Sequence, residues 1–430
     1  MSFRLTYLLI FLLWLSSCTR EVLNNHSVLT GKEAQLENLP TVEGQSIPPD
    51  NIKSIQLYRG DRKSTIPAIE LGENEFITLR FDELGERGRM FRVRVQHRNA
   101  DWSPSTLMEG FYLSGHHEDL IMGGQPGNVQ GPEYTHYTYR FPNENIQIRI
   151  SGNYLLEVLD YETSQKIFSI PFFVFENDGQ LNINIEELYV REPRYFLHHQ
   201  LFARFKYPSY VLSPLMDLRI FFVQNRFWGR VREVDVEDVA EMGVYRGYLS
   251  RPASFIGIYE FQTLDLDRYD RPGMEILEVR PETIPPQVRL FRDVVNLNSN
   301  PSSFRRSSIY GNPRDESNAR YVDVRFELEL PWENATDLPI YVYGPFNNWT
   351  MNDRNRMEYR ESTDSYIGRA VIKEGEYDYK YALVENGRLD DLALDGSFAS
   401  STQEYTTLVY FRDPEWQADR LLQIGINRTQ

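Results

Sequence analysis

The sequence contains a single cysteine, Cys18, among 430 residues. Without a second cysteine the chain forms no internal disulfide, so the fold depends on packing and hydrogen bonds. Beyond residues 5–15 there is no long apolar run, and that run is too short to cross a bilayer as a helix. Positive charge is also scarce. The chain has 46 Lys and Arg against 62 Asp and Glu, and the formal net charge of −16 disfavours nucleic acid as a partner.

The common motifs of enzyme active sites are missing as well. There is no G-x-S-x-G elbow, no Walker loop and no H-E-x-x-H sequence. The histidine pairs at 116–117 and 198–199 are poor metal chelators, because neighbouring residues on a strand point to opposite faces. We therefore expect a protein that is not an enzyme and that has no cofactor, metal or small-molecule substrate. A hydrolase with a scattered catalytic site stays open as an alternative.

The N-terminus has the pattern of a bacterial lipoprotein signal. Arg4 supplies a positive charge, an apolar run follows, and the small residues Ser16 and Ser17 precede Cys18. This pattern predicts removal of residues 1–17 and lipidation of the sulfur of Cys18. Residues 18–50 are polar and predict a tether between the lipid and the first domain. The body of the protein would then be anchored to a membrane without spanning it.

The remainder of the chain predicts β-structure. Aromatic residues make up 13% of the chain, and Tyr and Phe favour strands. The clearest strand is 91–98, where Phe91, Val93 and Val95 alternate with charged or polar residues. We predict an all-β, multi-domain protein built from antiparallel β-sandwiches of immunoglobulin-like type. The expected divisions are an N-terminal sandwich at 51–176, a middle β domain at 177–298, a linker or exposed loop at 299–320, and a C-terminal sandwich at 321–430.

Two stretches stand out in this β-rich chain. The first is "NADWSPS" at 99–105, followed by a connection that carries four glycines between Gly115 and Gly127 and that predicts a long functional loop. The second is "VYGPFNNWT" at 342–350, which resembles the first hairpin of sugar-binding modules. An exposed aromatic platform near Trp349 would make the protein a glycan-binding surface lipoprotein. The other interpretation is a hairpin corner whose Trp349 packs on the sheet.

The first stretch also carries a family resemblance. "NADWSPS", "EYTHYTYRFPN" at 133–143 and "SGNYLLEV" at 151–158 resemble the plug protein of the type IX secretion system. The similarity continues in order through "YVYGPFNNW" and "DRLLQIG", and it covers most of residues 51–425. The middle segment "GIYEFQTLDLD" departs from the family pattern.

The resemblance implies a function. It implies a periplasmic protein that is not an enzyme, and that binds and seals the periplasmic mouth of a large outer-membrane β-barrel translocon when no cargo passes. The lipid anchor at Cys18 would hold it at the membrane surface. Candidate contacts with the barrel lie on or near the long loop, at Trp102, Tyr112, His136 and Tyr137. The alternative is that these four residues belong to the core or the rim of the sandwich.

Overall fold

The computed structural model describes residues 41–85, 88–127, 131–190, 197–257, 261–267, 269–270, 275–295, 310–314, 318–330, 338–351, 353–385, 388–390, 394 and 402–429. These residues are mainly β-strand, arranged in sheets whose pairings are mostly antiparallel. The predicted all-β class is confirmed, and the immunoglobulin-like type stays a prediction. The two α-helices in this part of the chain have four residues each, and neither has the length and hydropathy of a membrane span.

The first sandwich contains eleven strands and one short helix. They are β1 (Ile52–Arg59), β2 (Ala68–Glu70), β3 (Ile77–Leu84), β4 (Phe91–Arg98), α1 (Glu109–Tyr112), β5 (Leu113–Gly115), β6 (Glu118–Ile121), β7 (Gln125–Pro126), β8 (Tyr134–Phe141), β9 (Ile146–Ile148), β10 (Gly152–Asp160) and β11 (Lys166–Phe175). One sheet has the order β1-β3-β8-β7 and the other β2-β11-β10-β4-β6, while β5 pairs with β9. The predicted long loop therefore contains β6 and β7, which are paired into the two sheets.

The pattern of β4 explains how the two sheets meet. Phe91, Val93 and Val95 are completely buried, whereas Arg92 and Arg94 are partly exposed, as the alternation of the sequence predicted. The buried side chains join a core of aliphatic and aromatic residues from both sheets. Burial of one such side chain contributes about 1.5–3 kcal/mol, so the core is the main source of stability for this sandwich.

The rest of the chain forms two more sandwiches. Its elements are β12 (Gln180–Tyr189), β13 (Leu197–Lys206), α2 (Pro214–Asp217), β14 (Leu218–Gln224), β15 (Val231–Glu233), β16 (Val236–Asp238), β17 (Val244–Tyr248), β18 (Phe255–Ile256), β19 (Gln262–Asp265), β20 (Ile276–Arg280), β21 (Gln287–Leu290), β22 (Asp293–Val294), β23 (Asn312–Pro313), β24 (Tyr321–Glu329), β25 (Ile340–Tyr343), a 3-10 turn (Pro345–Asn347), β26 (Glu358–Arg360), β27 (Ser365–Lys373), β28 (Gly375–Glu385), β29 (Arg388–Asp390), β30 (Glu404–Asp413) and β31 (Ala418–Arg428).

The strand pairing divides the chain differently from the boundaries drawn on the sequence at 177–298 and 321–430. The second sandwich joins β12-β13-β17-β16, with β18 paired to β13, to a sheet of order β15-β14-β30-β31. The last two strands of the chain therefore complete the second sandwich. The third sandwich is formed by β19 to β29, and it takes in strands that precede residue 298. Pairing of β14 with β30 joins residues almost 200 positions apart, and local periodicity carries no information about such a pairing.

An aromatic junction connects the three sandwiches. Trp102 of the first sandwich packs edge-on against Phe173, with ring centroids 5.6 Å apart, and Phe173 lies 4.8 Å from Trp228 of the second sandwich. Next to Trp228, Phe227 packs edge-on against Trp349 of the third sandwich at 5.1 Å. All five side chains belong to one buried cluster. The three units therefore share a core, which favours a single rigid body over independent domains.

Candidate functional site

The segment after β4 forms a tight turn that changes the direction of the chain. The backbone N–H of Asn99 donates to the carbonyl of Ser103 at 3.0 Å, and the N–H of Trp102 donates to the carbonyl of Asn99 at 2.9 Å. The carboxylate of Asp101 accepts bonds from both the N–H and the hydroxyl of Ser103. Trp102 has a positive φ of 66°, a conformation that the turn imposes on a bulky residue. The stretch that carries the family resemblance is thus a structural turn.

The turn directs Trp102 into the aromatic junction, where only 4% of its surface is exposed. Its indole is therefore covered by the molecule itself and offers little surface to another protein. The burial matches the alternative drawn from the sequence, in which Trp102 belongs to the core. Its expected role as a partner contact gains no support from its position.

Tyr112 and Tyr137 are also buried. Tyr137 has no exposed surface and stacks on Phe81 with ring centroids 4.9 Å apart. Tyr112 is 5% exposed, and its ring lies 5.7 Å from that of His97. Burial, followed by the nearby charge of Glu109, raises the pKa of Tyr112 to about 12, so the phenol stays protonated at neutral pH. Both residues pack in the core of the first sandwich, and their role as partner contacts stays a prediction.

His136 is the most exposed of the four candidates, and it belongs to a buried polar cluster. Its Nδ1 lies 2.6 Å from Oδ1 of Asp82. The other carboxylate oxygen of Asp82 accepts bonds from Nζ of Lys373 at 2.7 Å and from the hydroxyl of Tyr321 at 2.6 Å. Burial acts to raise the pKa of Asp82, but the bond from His136 and the charge of Lys373 outweigh it and lower that pKa. The cluster joins the first sandwich, through Asp82 and His136, to the third, through Tyr321 and Lys373.

The glycan alternative requires an exposed aromatic face at Trp349, and the structure contradicts it. The chain leaves β25, forms the 3-10 turn and passes through Asn348 and Trp349 at positive φ. The indole then points inward, is 4% exposed, and packs edge-on against Phe227, Phe261 and Tyr343. A sugar ring has no access to its face. The hairpin-corner interpretation is the one that the structure supports.

The structure assembles no catalytic or metal-binding group at the histidine pairs 116–117 and 198–199. His198 and His199 are buried on opposite faces of β13, where His198 contacts Ser254 and His199 contacts Tyr405. His117 is exposed and pairs with Glu109 at 2.9 Å. In the described residues, no group of three His, Cys, Asp or Glu side chains has the arrangement of a metal site. Cys18 lies outside the described residues.

An open cleft beside the turn is the best candidate for a binding site. Its volume is about 1000 Å³, at the upper end of the range for ligand pockets. One wall is the outer face of β4 near Arg98, and the opposite wall is the segment that follows the turn. The residues that line it come from three short stretches, and they are Arg94, Gln96, His97, Arg98, Pro104, Ser105, Leu107, Met108, Glu109, Tyr112, His116, His117 and Glu118.

The segment that forms the cleft also exposes large apolar side chains. Met108 is 70% exposed and Phe111 53% exposed beside the cleft. Leu120 and Met122, in and after β6, are exposed as well. Apolar side chains that are left in water on one segment are typical of surfaces that bind another macromolecule. Trp102 and Tyr112, two of the predicted contacts, lie on this segment and are buried, so the partner contacts stay a prediction.

Arg98 is the residue of the cleft that sequence reasoning missed. The alternation in β4 placed it on the charged, outward face with Arg92 and Arg94. Arg98 is nevertheless only 8% exposed, because the chain that follows the turn and the residues around Gly44 fold over it. No signal in the local sequence marks that coverage.

Comparisons with known proteins agree with this fold. Residues 52–176 match the family model of the type 9 secretion system plug protein 1st domain. The crystal structure of a hypothetical protein from Parabacteroides merdae has a TM-score of 0.78 and 22% identity, and the match covers 90% of this chain and 100% of that one. At that identity the likeness shows the fold alone.

Other similarities are weaker. The C-terminal domain of the Streptococcus pyogenes antigen I/II-family protein AspA has a TM-score of 0.15 and 7% identity, over 87% of this chain and 99% of that one, which is too low to support any argument. No curated protein matches the sequence. The family model covers the whole first sandwich, including the turn at Trp102, and over residues 52–176 it supports the resemblance to the type IX secretion system plug protein family that the sequence showed.

Proposed function

We propose that this protein is a non-enzymatic component of the type IX secretion system that binds and seals the periplasmic mouth of the large outer-membrane β-barrel translocon when no cargo passes. The observation that carries the proposal is the match of residues 52–176 to the plug family. That match supports a component of the secretion machinery located in the periplasm or at the outer membrane. The sealing role is the finer part of the proposal.

The physical properties of the molecule suit a seal. A barrel wide enough for secreted proteins leaks solutes unless one end is covered, and a cover must resist deformation. The aromatic junction and the Asp82–Lys373 contact make the three sandwiches one body. Met108 and Phe111 offer exposed apolar surface on the domain that carries the family match. Burial of two such side chains in a complex contributes several kcal/mol to binding.

The proposal includes a lipid anchor at Cys18. The tether predicted at 18–50 is partly folded onto the body, since Val42 is buried and the N–H of Ser46 donates to the hydroxyl of Ser169 at 2.7 Å. A lipidated N-terminus on this segment keeps the body close to the membrane and raises its effective concentration at the barrel. The diacylglyceryl group predicted for the sulfur of Cys18 brings two acyl chains, which give stable anchoring, and contact with the barrel adds to retention. The proposed partners are the translocon barrel and the membrane, with no nucleic acid, cofactor or small-molecule substrate.

Capture from native membranes tests the sealing role. Tagged wild-type protein is expected to bring down a large outer-membrane barrel. The exposed double variant Met108→Ser, Phe111→Ser should capture the barrel at least about tenfold more weakly, which corresponds to about 1.4 kcal/mol. Leu212→Ser, Met242→Ser is the matched control, because both residues are exposed on the second sandwich.

The two outcomes of this experiment have separate meanings. Failure of the wild-type protein to bring down a barrel, under conditions that preserve membrane complexes, refutes the sealing function. Equal capture by both double variants refutes the assignment of the Met108 surface and leaves the function itself standing. An outer membrane that stays impermeable after deletion of the gene would also count against a seal.

A further inference from the structure

The guanidinium of Arg98 is a buried cation without a carboxylate partner among the described residues. It is 92% buried, and its one side-chain hydrogen bond goes to the amide oxygen of Gln96, from Nη2 at 2.8 Å. Its Nε has no hydrogen-bond partner. Arginine is rarely buried unless it is paired, because removal of its charge from water carries a large free-energy penalty. The side chain is therefore suited to an anion that the described residues do not supply.

The nearest carboxylate along the same network is already occupied. Gln96, whose amide oxygen accepts the bond from Arg98, donates a second bond from its amide nitrogen to Glu157 at 3.0 Å. Glu157 is itself buried and forms an ion pair with Lys166. The charge of Glu157 is therefore balanced by Lys166, and the amide of Gln96 separates it from Arg98.

The other charged groups of the cleft have contacts of their own. Arg94 forms an ion pair with Glu118, and His117 contacts Glu109 at 2.9 Å. Burial lowers the pKa of His97 to about 4, so this ring adds no positive charge at neutral pH. Among the described residues, Arg98 is thus the arginine of the cleft whose guanidinium contacts no carboxylate. A single guanidinium matches a monoanion, and a carboxylate accepts two parallel bonds from it.

The other residues that line the cleft indicate which kind of molecule would carry an anion to Arg98. Leu107, Met108 and Tyr112 line the cleft beside Arg98. Glu109 and Glu118 also line the cleft, and their negative charges repel a doubly charged phosphate group more strongly than a monoanion. A volume of about 1000 Å³ holds several amino-acid residues. These features fit an extended peptide with one acidic side chain, or a terminal carboxylate, next to apolar side chains.

We propose that this cleft is a peptide-binding site in which Arg98 holds a carboxylate of a polypeptide segment while neighbouring apolar side chains of that segment pack on Leu107 and Met108. The proposal rests on the proposed function for the identity of the biological partner, since a seal requires contact with a protein of the machinery. Its chemistry concerns only the cleft. A titration of the purified full chain with synthetic peptides therefore tests it without any barrel.

The test uses methyl NMR of protein labelled at its nine methionines. The probes are acetyl-Leu-Asp-Phe-amide and its match acetyl-Leu-Asn-Phe-amide, which differ by one charge. We expect the Asp peptide to shift the Met108 methyl signal with a dissociation constant on the order of 1 mM, and the Asn peptide to bind about tenfold more weakly or worse. The Met242 signal, on the second sandwich, should stay in place.

Variants distinguish a specific role of Arg98 from a general effect of positive charge on this strand. Arg98→Gln should abolish the Met108 shift, and Arg98→Lys, which keeps the charge but loses the planar fork, should weaken it. Arg92→Gln is the matched control, because Arg92 lies on the same strand but does not line the cleft. If Arg98→Gln fails to fold, Arg98→Lys and Met108→Ala, which changes only an exposed side chain, carry the test.

Three outcomes would overturn the proposal. The first is equal binding of the Asp and Asn peptides. The second is unchanged binding after substitution of Arg98 and Met108. The third is a larger Met108 shift with inorganic phosphate than with the Asp peptide at equal concentration, which would assign the cleft to a phosphate or lipid headgroup. None of these results affects barrel capture by the wild-type protein, so the two proposals fail separately.

Discussion

The contact between Asp82 and Lys373 allows a quantitative test of how the first and third sandwiches are held together. Both side chains are buried, with exposures of 0% and 1%, and the atoms Oδ2 and Nζ lie 2.7 Å apart. Removal of one partner of a buried ion pair leaves the other charge uncompensated and costs about 3–5 kcal/mol. The perturbation is therefore single substitution of each residue, Asp82→Asn and Lys373→Met, followed by the double variant.

The surroundings of each group decide where in that range each variant falls. In Lys373→Met, the carboxylate keeps its bonds from His136 and Tyr321, so we expect a loss of about 3 kcal/mol in the free energy of unfolding. In Asp82→Asn, the ammonium of Lys373 keeps the rings of Tyr134 at 4.5 Å and Tyr321 at 6.0 Å but loses its carboxylate, so we expect a loss of about 4–5 kcal/mol. The double variant should lose less than the sum, with a coupling of about 2 kcal/mol.

Urea unfolding followed by circular dichroism measures these losses. The control is Arg204→Met, which removes a contact of the same length, 2.7 Å to Glu241, between side chains that are about half exposed. Solvent screens that pair, so the control should lose less than about 1 kcal/mol. Single losses for both variants at the level of the control, or strict additivity in the double variant, would show that the junction does not depend on this pair.

The pH dependence of the same variants gives a second check, with a definite sign. The pKa of Asp82 is lowered in the folded state, so the unfolded chain binds its proton more readily. The contribution of the carboxylate to stability is then complete above the usual pKa of about 4 and is lost as pH falls through the lower, folded-state value. The difference between wild type and Asp82→Asn should therefore shrink in acid. A difference that grows below pH 4 would contradict this reasoning.

Three further predictions follow from other parts of the molecule. Trp349→Ala should reduce the free energy of unfolding by about 3–5 kcal/mol, because it opens a cavity in the aromatic junction. Glycan arrays should show no binding for the wild-type protein or for the variant. An unchanged free energy of unfolding would contradict the burial of Trp349. Burial lowers the pKa values of His97 and His199 to about 4, so the free energy of unfolding in urea should fall as the pH is lowered from 6.5 to 4. The variant His199→Gln should lose less of its free energy of unfolding over that interval. A wild-type free energy that does not change with pH would refute this prediction. Cys18→Ala should move the protein from the membrane fraction to the soluble fraction after cell breakage, and unchanged sedimentation with membranes that lack the barrel would argue against the anchor.

Local patterning predicted the elements of this fold well. The alternation at 91–98 correctly assigned Phe91, Val93 and Val95 to the interior, because a strand places successive side chains on opposite faces. It failed for Arg98, which is on the outward face and yet is covered by chain that follows the turn. Patterning also failed between Gly115 and Gly127, where β6 and β7 are too short and too polar to be recognised without the strands that they pair with.

The cleft lies beside the segment that the sequence singled out, and its role as a partner contact stays a prediction. The segment around Trp102 forms a wall of the cleft and exposes Met108 and Phe111. Aromatic identity pointed to Trp102 and Tyr137, and both are in the core. Aromatic side chains dominate interfaces and interiors for the same reason, which is their large apolar area, so residue type alone does not separate the two roles.

The sequence by itself determined the class of the fold, through period-two alternation and aromatic content. It also showed the resemblance to the plug family, through the stretches around "NADWSPS", and the family match over residues 52–176 supports that resemblance. Both properties are local, since each depends on residues that follow one another along the chain. The tertiary structure alone decided that β30 and β31 complete the second sandwich, that Trp349 is buried, and that the carboxylate of Asp82 meets Lys373. Asp82 and Lys373 are 291 positions apart, and only the packing of the sandwiches brings them together.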